Sequence, residues 1–191
     1  MGGPATIGGQ RLASTSNFLI QPMQIDGVLV RASTGEHSAT PLEWKSVEHY
    51  FQAAKFDAIA GRMSVWQHCR AIQLVNDPLE AWELGQSRKH PLRVDWEDVK
   101  AHTMYLGVVA KYKACPEHAR VLAETSEPIV AGDSTSNWQQ LNTLVLERIR
   151  YELRESLGLS PLVARSVYEE WCAATNLPPG AAPIVVYVAT P

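Results

Sequence analysis

The stretch that most constrains this chain is Trp44 to Phe56, WKSVEHYFQAAKF, which contains no Gly or Pro and turns at helical period. Ser46 suits the N-cap, because its hydroxyl can accept a bond from a free amide of the first turn. At 100° per residue, Val47, Tyr50, Phe51, Ala54 and Ala58 fall on one side, the pattern of a core-facing stripe. Glu48, Gln52 and Lys55 stand at i, i+4 and i+7 and share a second face, within about 60° of arc. A carboxylate, an amide and an amine beside an aromatic core face is how a site is built. It is also how a solvated helix face looks, and spacing alone favours the solvated face.

Around this helix the chain reads as one α+β domain, predominantly helical, with a small β-sheet. Its 191 residues suffice for a real core, and 46% hydrophobic with 19% charged residues describes an ordinary globular composition. Residues 1–13, Gly-rich and uncharged over most of their length, read as a flexible N-terminal arm. Ser16–Ile20 and Asp26–Val30 read as two short strands, with Asp26-Gly27 a hairpin turn. The polar run 31–41 reads as a surface loop, a candidate lid.

Helices are then expected over 62–75, with Met63, Trp66, Cys69 and Ile72 facing the core, and over Leu79–Leu84, ended by Gly85 in a left-handed cap. Arg88, Lys89, His90 and Arg93 form a basic connection, read equally as a solvated loop or an anion site. Further helices are expected over 96–113 with Asp95 as N-cap, from Pro116 to Glu124, over Trp138–Leu157, and over Ser160–Ala174. The run Ile184–Val188 reads as a strand that joins the small sheet. The domain is assigned to 14–157, with 158–191 as a helix-plus-strand extension packed on it.

Several chemistries find no support. The net charge of −3 carries no basic footprint for a long duplex, although an enzyme touching one nucleotide needs none. The three cysteines, Cys69, Cys115 and Cys172, are far apart and form no CxxC, so neither a disulfide framework nor a cysteine zinc site is expected. The six histidines lack ligand-like spacing. Phosphate-binding Gly-rich loops, HExxH and the GxSxG elbow are all missing. No cofactor or metal is expected, and no signal peptide or membrane span is seen, which points to an intracellular setting, cytoplasmic or nuclear.

The ordered motifs resemble the NADAR family, also called YbiA-like. They are Ser16-Asn17-Phe18 with Pro22, the central WKSVEHYFQAAKF, and Leu84-Gly85-Gln86-Ser87-Arg88. Then follow Pro91-Leu92-Arg93-Val94-Asp95-Trp96, Met104, Ala110-Lys111-Tyr112, Asp133, Trp138, Asn142 and Ile149-Arg150. The chain departs from the family where a Gly-rich segment is usual, since STSNWQQLN carries no glycine and Asp133 stands five residues from Trp138. The residues after about 158 lie outside the resemblance.

The resemblance implies N-glycosidic hydrolysis at a ribose C1 attached to an exocyclic amine. The leading substrate is ADP-ribose on guanine, in DNA or a nucleotide, with ADP-ribose as product. The alternatives are a ribosylaminopyrimidine intermediate of riboflavin synthesis, or a catalytically silent ADP-ribose-binding module. With the matches on both sides, the Glu48–Gln52–Lys55 stripe becomes a site. Lys55 is implied as a Schiff-base nucleophile, Glu48 as proton shuttle and Asp133 as second carboxylate. A route in which Glu48 and Asp133 stabilise an oxocarbenium ion is the alternative mechanism. Asn17, Phe18, His49, Gln52 and Asn142 are implied around the substrate, Arg88 and Arg93 at a pyrophosphate, and Trp44 or Trp138 against a base.

Overall fold

A computed structural model of the protein describes residues 2–25, 42–56 and 63–180. The expected hairpin at 26–27, the loop over 31–41 and the strand at 184–188 lie outside the described residues.

Five short strands and seven α-helices are present among them. Strand β1 (Ala5–Ile7) pairs antiparallel with β2 (Gln10–Leu12) on one side and with β5 (Ile129–Val130) on the other. The first residues are therefore not a loose arm. Gly8 and Gly9 both take positive φ, 56° and 79°, and make the two-residue turn between β1 and β2. Ala5 and Ile7 point into the core, which anchors the hairpin. The second sheet pairs β3 (Met23–Ile25) with β4 (Leu42–Trp44), Met23 opposite Trp44. Ser16–Ile20, expected as a strand, forms turns instead, following a short 3-10 turn at Ala13–Thr15.

Helix α1 (Val47–Ala54) is the hub, and all eight of its residues are buried. Ser46 caps it as expected, its hydroxyl accepting from the His49 amide at 3.4 Å. It packs on α2 (Met63–Leu74), α3 (Pro78–Gly85) and α4 (Trp96–Ala114). Two glycines permit this closeness. A Cβ at Gly107 of α4 would stand 2.9 Å from the Tyr50 ring, and one at Gly85 would stand 2.0 Å from Gln52 Oε1. Gly85 therefore belongs to α3 rather than ending it in a left-handed cap; Gln86 is the C-cap.

Helix α4 begins where expected, but the Asp95 side chain does not cap it. Arg93 takes both Asp95 oxygens, at 2.6 and 2.8 Å, and so competes with the free amides. Helices α5 (Pro116–Glu124), α6 (Ser136–Ser156) and α7 (Arg165–Ala174) follow among the described residues, with α6 packed on α4, α5 and α7. Of the α2 stripe, Cys69 and Ile72 are buried while Met63 is exposed; the helix starts there and its first residue lies beyond the packed turn. No helix among the described residues is long and apolar enough to cross a membrane.

Candidate active site

Between α1, α3, α4 and the start of α6 lies a cleft of about 360 Å³. Its wall on α1 is the Glu48, Gln52 and Lys55 stripe, with Phe51 beside it. The stripe is not a solvated face: Glu48 is 3% and Gln52 2% exposed. Gln52 sits against the bare backbone of Gly85 and donates from Nε2 to Glu48 Oε1 at 2.5 Å. Gln86 Nε2 in turn reaches Gln52 Oε1 at 3.4 Å. A short amide relay thus orients the carboxyl.

The Ser16–Asn17 turn closes the other end. The Glu48 amide donates to the Asn17 carbonyl at 3.0 Å, satisfying one of the free N–H groups at the start of α1. The Asn17 side chain lines the cleft, with Nδ2 3.3 Å from Met104 Sδ. The Asn17 backbone N–H donates to the Gly2 carbonyl, Gly2 bridges to Ser134, and Ser134 Oγ accepts from Asn142 Nδ2 at 2.8 Å. At the far end of α1, Lys55 is the C-cap residue, and its carbonyl accepts from the Arg93 amide at 2.9 Å. Seven residues span about 10 Å of helix axis. Side chains lean toward the helix N-terminus, so the Lys55 chain extends back toward Glu48.

Burial moves the titrations of the two groups toward each other. Burial raises the Glu48 carboxyl above its usual range, against the opposing pull of the Gln52 bond and Lys55. Burial also lowers the Lys55 amine to about 8, opposed by Glu48 and aided by Arg88. Both shifts favour the uncharged pair over the ion pair. A neutral amine is a nucleophile and a protonated carboxyl is an acid, so the cleft holds the two groups that amine exchange at a sugar carbon needs.

The expected site residues divide. Asn17, Glu48, Gln52, Lys55, Trp138 and Asn142 meet in the cleft. Trp138 stands edge-on to Phe51 with centroids 5.0 Å apart. Asp133 does not line it: this carboxylate is 46% exposed and pairs with Arg11 across the β-strand end of the molecule. Arg88 is exposed and donates to its neighbours' carbonyls at Gln86 and Ser87, while Arg93 is held by Asp95. Neither reaches the lining.

Trp44 is fully buried against Tyr50, a core residue. His49 is buried too, Nε2 donating to the Val75 carbonyl at 3.1 Å and Nδ1 lying 2.8 Å from Ser46 Oγ. Phe18 is half-buried outside the lining. For His49, on α1, the helical period is silent. On a helix buried all round, every direction faces something, so motif membership does not tell core from cleft.

Sequence reasoning missed Trp82, Gln86, Trp96, Lys100 and Asn137, which all line the cleft. Lys100 and Trp96 are one turn apart on α4, so the i, i+4 spacing that exposed the α1 stripe was available there also. Beyond Lys100 a wider groove of about 1010 Å³ opens between α4, α6 and α7, sharing Glu97, Lys100, Asn137 and Leu141 with the cleft.

Fold and cleft together define an α+β domain with a buried acid–amide–amine stripe on its central helix. The NADAR domain model matches residues 10–139. The chain belongs to the NADAR family. It is 32% identical over 124 residues to N-glycosidase YbiA of Shigella flexneri serotype 5b, covering 64% of this chain and 62% of that protein. The chain thus spans less than two thirds of the curated YbiA relatives it matches. It is 30% identical over 91 residues to the chloroplastic riboflavin biosynthesis protein PYRR of Zea mays, 46% of this chain and 14% of that one. Among solved structures, the NMR structure of YbiA from E. coli superposes with a TM-score of 0.51 at 27% identity, covering 76% of this chain and 78% of that one.

Proposed function

We propose that this protein is an N-glycosidase that releases ribose from an exocyclic amine. The observation that carries the reading is the shared cleft of Glu48 and Lys55, shifted by burial in opposite directions. A ribose C1 bonded to an exocyclic amine can open its ring to an imine, with the ring oxygen taking a proton. Neutral Lys55 adds to C1, and a proton passes through Glu48 to the departing amine. The C1–N bond then breaks, the electron pair leaving with the amine, and a lysine imine remains. Water adds to that carbon, the C1–Nζ bond breaks, and sugar and lysine are restored.

The finer reading is that the substrate is ADP-ribose on guanine. The cleft takes ribose and amine, and the adjoining groove has room for the remainder. A second reading, a ribosylaminopyrimidine phosphate, draws support from the similarity to the maize riboflavin protein and from Arg88 and Arg93 lying outside the cleft. Incubation with ADP-ribosylated guanine oligonucleotide and with the pyrimidine intermediate separates them. Release of ADP-ribose supports the first and release of ribose phosphate the second. Cleavage of neither refutes glycosidase function.

A further inference from the structure

Among the described residues lining the cleft, the cations are Lys55 and Lys100. Lys55 is depressed to about 8 and is committed to the reacting carbon in the proposed reaction. Lys100 is different. It stands at the rim, where cleft and groove meet, with its ammonium 6.0 Å from the Trp138 ring centroid. At that distance the face of the indole attracts the ammonium and holds it beside the cleft. Its partner in the free protein is Glu97, one turn before it, whose side chain is 77% exposed. Exposed pairs of this kind contribute little, so an anionic ligand can displace the carboxylate at little cost. Both arginines that sequence reasoning placed at a phosphate are held outside the lining, by Asp95 and by backbone carbonyls.

We infer that Lys100 is the specificity-determining cation that receives the phosphate carried on the substrate's ribose 5′-oxygen, with Glu97 as the carboxylate that occupies it between turnovers. The inference rests on the proposed ribosyl-amine reading, and its logic is spatial. With C1 at Lys55, a phosphate on the far side of the sugar needs a second cation in the same cleft, and among the described lining residues that cation is Lys100. A phosphate monoester and the first phosphate of a pyrophosphate present the same oxygens there.

The test is binding, which needs no turnover. Ribose 5-phosphate and ADP-ribose are titrated calorimetrically into the wild-type protein, Lys100→Met, Lys100→Arg and Glu97→Gln, with ribose as control. Lys100→Met is expected to weaken at least one phosphorylated ligand by about tenfold, the scale of one charge-assisted bond, and Lys100→Arg to retain it. Glu97→Gln, which removes the competitor, is expected to tighten it by about two- to fivefold. Loss confined to ribose 5-phosphate identifies a monoester, and loss confined to ADP-ribose a pyrophosphate. Wild-type protein that binds neither ligand overturns the inference. So does unchanged affinity in Lys100→Met, or weaker binding in Glu97→Gln. Lys100-dependent binding without cleavage of any ribosyl-amine leaves the phosphate site standing and removes the glycosidase reading.

Discussion

Replacing Gly85 by alanine tests whether the α3 backbone is what holds the amide relay in place. The added Cβ would lie 2.0 Å from Gln52 Oε1, 2.7 Å from its Cδ and 2.8 Å from its Cβ. The last contact decides the outcome, because turning the amide away cannot relieve a clash with the base of the side chain. Gln52 is 2% exposed, so its side chain is held in place by its neighbours. Overpacking of this kind costs about 1–3 kcal/mol. Displacing the amide also takes the donor from the Glu48 carboxyl, about 1–3 kcal/mol for a buried acceptor left without its partner. Alanine recovers about 1 kcal/mol of helix propensity. The net loss is thus about 1–5 kcal/mol, read by urea unfolding, together with a fall in kcat. Gln52→Gly in the same chain removes the Cβ as well as the amide and should relieve the clash, so the double variant is expected to lose at least about 1 kcal/mol less than the two single losses combined. A Gly85→Ala protein as stable as wild type, or simple additivity with Gln52→Gly, refutes the close-approach account.

Other consequences follow from burial and charge. In the proposed reaction the reactive form carries one proton on the Glu48–Lys55 pair, on the carboxyl, with the amine neutral. A second proton charges Lys55, and loss of the last one removes the acid, so kcat/KM against pH should be bell-shaped with its alkaline limb near Lys55's value of about 8. Glu48→Gln should abolish that limb, and a wild-type rate still climbing at about pH 10 contradicts the assignment. Since Asp133 lies outside the cleft, Asp133→Asn should keep turnover within about twofold, while Glu48→Gln should lower it about 10²–10⁴-fold; equal losses would restore Asp133 to the chemistry. Lys111 is fully buried, bonded through Nζ to the Ser16 carbonyl at 3.1 Å, and burial lowers its amine to about 7. Its unfolded-state value is about 10.4, so between about pH 7 and 10 the unfolded chain binds the extra proton and stability rises with pH. Denaturant unfolding should show that rise in wild type, by several kcal/mol relative to Lys111→Met, and parallel profiles would refute it.

How far the sequence reached depended on what kind of information each element carries. Helix α1 and its Ser46 cap, and helices α3, α4 and α5, are written in local signals, namely caps, prolines and period, and they form within a residue or two of where those signals fall. Strands β1 and β2 were missed because a three-residue strand gains its stability from partners, here β5 some 120 residues later, and not from its own residues. Asp95 failed as a cap because Arg93, two residues before it, takes both carboxylate oxygens away from the helix amides. For the site, the i, i+4, i+7 stripe located Glu48, Gln52 and Lys55, and family resemblance added Asn17, Trp138 and Asn142. Neither could exclude His49 and Trp44, whose burial is decided by the elements packed over them. Nor did either reveal the buried state of Glu48, which raises its carboxyl above the usual range.

The central claim is a covalent lysine intermediate at Lys55. Borohydride added during turnover of a ribosyl-amine substrate reduces an imine to a stable secondary amine, which peptide mass spectrometry can assign to one residue. The account predicts a sugar adduct on Lys55, absent without substrate and absent in Lys55→Ala, which should also lose activity. No adduct during productive turnover, or full activity in Lys55→Ala, would contradict it.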